Sequence, residues 1–107
     1  MSIINMDNQI FKKNIENSGK PVLVEFWAPW CVYCRRIAPA LKKVAEQYRD
    51  SIAVGQVNID DEKLLAEQER IELVPTFIIY KDGKAVNSIV APESKAQIEE
   101  FIKEVIG

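Results

Sequence analysis

The chain contains no histidine and only two cysteines, Cys31 and Cys34, in 107 residues. Without histidine there is no Cys-His pair, the commonest arrangement for activating a hydrolytic cysteine. A closed tetrahedral zinc site needs four ligands, and Cys31-x-x-Cys34 supplies half of one. Completing it would take carboxylates or a second chain, so no metal is expected. No apolar run approaches membrane-spanning length, and no membrane association is expected. The net charge is -2 and no basic stripe tracks along the chain, which argues against nucleic acid as a partner. The segment Met1 to Asp7 lacks the basic start, long apolar stretch and small-residue cleavage site of a secretory signal, so a cytoplasmic location is expected. Repeats, linkers and low-complexity stretches are missing as well. At a length near the commonest for one domain, residues 1–107 read as a single domain.

What is present fits a folded core: 48% hydrophobic and 28% charged residues lie in the ordinary range for globular proteins and outside the disordered one. A short strand near Ile3-Ile4 precedes a helix opened by Asp7, with Ile10, Phe11 and Ile15 expected to face inward. Ser18 to Pro21 ends that helix. Val22 to Trp27 is almost continuously apolar and β-branched, as in a central strand covered on both faces, with Glu25 its one charge. A helix is expected from about Cys31 to about Arg49, with Ile37, Leu41, Val44, Ala45 and Tyr48 on one face and a kink at Pro39. Ile52 to Ile59 reads as a second buried strand and Glu62 to Arg70 as a short charged helix. Thr76 to Tyr80 and Ala85 to Val90 flank Asp82-Gly83, a hairpin turn signal. Ser94-x-x-Gln97 offers a capping box for a last helix burying Ile98, Phe101, Ile102 and Val105. Helices alternating with strands imply parallel crossovers, and the late hairpin adds antiparallel strands. The fold class is α/β, a mixed sheet between two layers of helices.

A Cys-x-x-Cys pair at the start of a helix, directly after a buried strand, has a physical rationale of its own. Unpaired amide N–H groups and the helix dipole stabilise a thiolate there and bring the thiol pKa toward neutrality. Cys31 is therefore the candidate attacking thiol at an exposed helix start. Cys34, one turn on and more buried, is the candidate resolving thiol. Arg35 and Arg36 either add positive charge to the site or are simply solvated.

The block Trp27-Ala28-Pro29-Trp30-Cys31-Val32-Tyr33-Cys34 resembles the active-site strand and loop of thioredoxins, and Val74-Pro75-Thr76 with Lys81-Asp82-Gly83 is similar to later landmarks of that family. The resemblance covers essentially the whole chain. It implies a thioredoxin fold, a five-stranded mixed sheet sandwiched between four helices. It also implies a protein-disulfide reductase: Cys31 attacks a target disulfide, Cys34 resolves the mixed disulfide, and a partner flavoprotein, a thioredoxin reductase, reduces the pair again. No cofactor is implied, and a monomer is expected. Pro75 resembles the family's cis-proline, which faces the cysteines and leaves the backbone of Val74 free to pair with a substrate strand. Read alone, it is an ordinary turn proline. Trp30 is expected to shield the thiol and to form an apolar docking surface with Val32, Tyr33, Val74, Pro75 and Ala91, while Trp27 belongs partly to the core.

Four departures from the family pattern, at five positions, stand out. Val32-Tyr33 replaces the usual Gly-Pro, Glu25 stands for a buried Asp, Gln56 for a Lys often paired with that acid, and Ala91 for a glycine of the docking surface. Glu25, the one acid in the strand feeding the site, is expected to have a raised pKa and to accept the proton of Cys34. The leading function is disulfide reduction within cell redox homeostasis. A more oxidising or specialised oxidoreductase, or a binding subunit of another enzyme with incidental thiols, are the alternatives.

Overall fold

A computed structural model describes residues 3–107. Strand β1 (Ile3–Asn5) leads into helix α1 (Asn8–Asn17), and β2 (Val22–Trp27) into α2 (Val32–Gln47). There follow β3 (Ala53–Asn58), α3 (Lys63–Gln68), the hairpin β4 (Thr76–Lys81) and β5 (Lys84–Val90), and α4 (Lys95–Ile106). The sheet order is β1-β3-β2-β4-β5, with β1 and β2 parallel to β3, and β4 antiparallel to both β2 and β5. The mixed sheet between helical layers expected from the sequence is the one observed.

Side-chain alternation along β2 divides the core in two. Leu23 joins Ile37 and Leu41 of α2, Ile98 and Phe101 of α4, and Phe77 of β4 on one face. Val22, Val24 and Phe26 point the other way, toward Met6, Phe11 and Leu65. A strand buried on both faces cannot alternate in polarity, which is why its apolar run is nearly unbroken. Glu25 and Trp27 follow Leu23 by two and four positions, so they lie on the α2 face of the sheet.

Local chemistry sets the element ends. The Asp7 carboxylate accepts the Ile10 N–H at 2.8 Å and opens α1. Asp82 and Gly83 both have positive φ (55° and 81°), as a tight two-residue hairpin turn requires. On β5 the register shifts opposite Ile79 and Tyr80, a bulge on a strand that is otherwise solvent-facing. Helix α2 stays one element across Pro39, whose ring nitrogen denies the Arg35 carbonyl its helical partner.

Three expectations are corrected. Ile10 is exposed (38%); in so short a helix, Phe11 takes the inward position one residue round. Val105 is only half-buried, against the core edge. At α4, Ser94 Oγ accepts the Gln97 N–H at 3.2 Å, but the Gln97 side chain accepts from Glu93 N–H at 2.8 Å and not from that of Ser94. The reciprocal bond of the capping box thus forms one residue upstream.

Candidate active site

β2 ends at Trp27, and the chain turns through Ala28 to Trp30 directly into α2. Cys31 is the N-cap of that helix, with extended backbone (φ -88°, ψ 113°), and its sulfur accepts the Cys34 N–H at 3.1 Å. A side-chain acceptor at the N-cap is normally a Ser, Thr, Asp or Asn oxygen; here a sulfur takes the place. Cys31 and Cys34 are joined as a disulfide, their Cα atoms 5.2 Å apart. The pair packs with Ala28, Trp27, Ile59 and Val74.

Exposure does not separate the two cysteines. Cys31 is 5% and Cys34 4% exposed, contrary to the expected exposed attacker and buried resolver. The physical reason is that the bonded sulfurs share one apolar cover, and the Cys31 sulfur lies 3.6 Å from the Val74 carbonyl oxygen. What distinguishes Cys31 is its place at the helix N-terminus. The donor on its sulfur is the N–H of Cys34, not the one that the absence of proline leaves on Tyr33.

Two further loops meet this turn. The Val74-Pro75 peptide bond is cis, and Thr76 Oγ1 closes the loop on the Leu73 carbonyl. Ala91 lies at φ +47° and its N–H donates to the Pro75 carbonyl at 2.8 Å. A cleft of about 640 Å³ runs from Tyr33, Arg36 and Ile37 across to Ala91, Pro92 and Glu93. Tyr33 in its wall is exposed (62%), as are its loop neighbours Trp30 and Val32 (62% and 49%). The structure therefore brings Val74 to Cys31, Ala91 to Pro75, and Ala91 to Tyr33.

Trp30 is exposed, and its indole N–H donates to the Asp60 carboxylate at 3.2 and 3.3 Å. Asp60 could not be singled out in the sequence, where it begins an acidic run thirty residues away. Arg35 donates to the Pro29 carbonyl at 3.1 Å, and the Arg36 guanidinium sits 5.5 Å from the Tyr33 ring centroid. Both cations thus brace the loop and its aromatic neighbour.

Glu25 is 1% exposed and accepts one hydrogen bond, from the Gln56 side-chain amide at 2.8 Å; its second oxygen has no partner among the described residues. Burial pushes its pKa up to about 7, and the Gln56 bond offsets only part of that. The expected direction is the one found. Among the described residues no cluster of three or more His, Cys, Asp or Glu could hold a metal ion, and no helix is long and apolar enough to cross a membrane.

The family model described as Thioredoxin matches residues 2–104. The chain belongs to the thioredoxin family. It is 36% identical to a thioredoxin of Porphyra purpurea over the full length of both chains. It is 42% identical to thioredoxin 1 of Synechococcus elongatus over 82% of each chain. A chloroplastic M-type thioredoxin of Chlamydomonas reinhardtii is 34% identical over 95% of this chain and 73% of its own. With the Cys31-Cys34 pair intact, this thioredoxin-family protein is a dithiol-disulfide oxidoreductase.

Proposed function

We propose that the protein reduces disulfides in other proteins, with Cys31 as nucleophile and Cys34 as resolving thiol, and that a flavoprotein thioredoxin reductase returns it to the dithiol form. The observation that supports this most is the N-cap position of Cys31, whose sulfur already takes an amide N–H of the first helical turn. In the reduced protein the same N–H would face a thiolate, and the helix dipole would favour the negative charge. The Cys31 thiolate attacks one sulfur of the target, a Cys31–target disulfide forms as the target S–S bond breaks, and the second target sulfur leaves as a thiolate that takes a proton from solvent. Glu25 then takes the Cys34 proton through a bridging water, the Cys34 sulfur attacks Cys31, and the remaining target sulfur departs with its electron pair and is protonated by solvent. The target is reduced and the carrier oxidised by two electrons. No cofactor enters.

Trp30, Val32 and Tyr33 would cover the target around its disulfide, while Val74, Pro75 and Ala91 present backbone and a small apolar contact opposite Cys31. The chain would work as a monomeric single domain in the cytoplasm. Insulin reduction coupled to NADPH and a thioredoxin reductase tests the proposal: wild type turns over and Cys31→Ser does not. A chain acting only as a binding subunit would keep its partner after that substitution and show no turnover in either form.

A further inference from the structure

Register puts Gln56 directly beside Glu25 across the β2–β3 pair. Their side chains meet at 2.8 Å on the face covered by α2, whose buried side chains are Cys34, Ile37, Leu41, Val44 and Ala45, and the register partner of Glu25 on β4 is the apolar Phe77. Gln56 is half-buried, and its outer side lines an open cleft with Trp27 and Asn58 whose charged groups are the acids Asp7, Asp61 and Glu62. Among the described residues, no cation lines the cleft at Gln56, and the side-chain donor to Glu25 is a neutral amide. A carboxylate can accept about four hydrogen bonds, yet Glu25 receives one, and all of it falls on one oxygen. An oxygen that already accepts an amide N–H is the poorer proton acceptor, because protonation there would oppose that bond.

We propose that Gln56 is a positioning residue for the resolving step: its amide pins one oxygen of Glu25 and leaves the other, Oε2, as the atom that receives the Cys34 proton. A neutral donor suits this task. An ammonium at the same place would hold Glu25 as a weaker base, whereas an amide orients the carboxylate at a smaller cost to its basicity. The inference rests on the reading of Glu25 as the proton acceptor and adds the residue that aims it.

The test separates the two. In the oxidised protein the cysteines do not titrate, so the carboxyl ¹³C signal of Glu25 reports that group alone. Gln56→Met, which keeps length and removes the donor, is expected to move its midpoint up by about one pH unit, and Gln56→Lys to move it down by about as much. Circular dichroism checks that both variants are folded. The pH midpoint of mixed-disulfide resolution should move in the same directions, and Gln56→Met should add nothing in a Glu25→Gln background. A carboxyl midpoint that ignores both Gln56 substitutions overturns the positioning role. A carboxyl midpoint that moves while the resolution profile stays put overturns the proposal through the base on which it rests.

Discussion

The Ala91 N–H donates to the Pro75 carbonyl at 2.8 Å, and it does so from a left-handed backbone at φ +47°. An alanine there carries a Cβ that crowds the following carbonyl oxygen, at a cost of roughly 1–2 kcal/mol, part of which glycine's larger unfolded-state entropy would offset. Ala91→Gly is expected to raise stability by about 1 kcal/mol and the melting temperature by several degrees. Ala91→Pro, which deletes the donor, should destabilise by more than that gain. Thermal unfolding of the three proteins checks both signs.

Glu25 makes stability depend on pH. The folded carboxyl holds its proton up to about pH 7, while the unfolded one releases it near its ordinary value of 4.5. Between those values the folded chain binds more protons, so stability falls as pH rises through the window and levels off above it. The fall amounts to about 3 kcal/mol if the shift is fully realised. Glu25→Gln should flatten this profile, with a clear gain in urea midpoint at pH 8 and little change at pH 4.5.

Much of this was legible beforehand because it is local. The unbroken apolar run of β2, the helical face behind the cysteines and the Asp82-Gly83 turn are each written in consecutive residues, and Cys31 falls where a strand gives way to a helix. The Trp30–Asp60 and Ala91–Pro75 contacts were not legible, since they join loops distant in sequence that no periodicity connects. The raised pKa of Glu25 was readable from a charge inside an apolar strand. The near-equal burial of Cys31 and Cys34 was not, because it arises from the shared disulfide and the Val74 loop above it.

Reduced protein offers a direct reading of which thiol is activated. Iodoacetamide at neutral pH should alkylate Cys31 well before Cys34, because the helix N-terminus favours its thiolate. Peptide mapping after brief labelling distinguishes the two, and preferential modification of Cys34 would reverse the assignment.

The Val32-Tyr33 spacer should make the protein a weaker reductant than a Gly-Pro thioredoxin, with a potential above roughly -270 mV. In the disulfide form the donor to the Cys31 sulfur among the described residues is the Cys34 N–H, so the spacer is expected to act through the reduced form, with the Tyr33 N–H as a further donor to the thiolate. Tyr33→Pro removes that donor and should lower the potential by about 20 mV, the equivalent of about 1 kcal/mol for a two-electron couple. Equilibration against glutathione measures the difference.

The division of labour between the cysteines is tested most directly by trapping. When reduced Cys34→Ser protein meets a disulfide target, mass spectrometry should find a stable mixed disulfide on Cys31, and Cys31→Ser protein should form almost none on Cys34. Adduct accumulating on Cys34 in the Cys31→Ser protein, or undiminished turnover by Cys34→Ser, would contradict the mechanism.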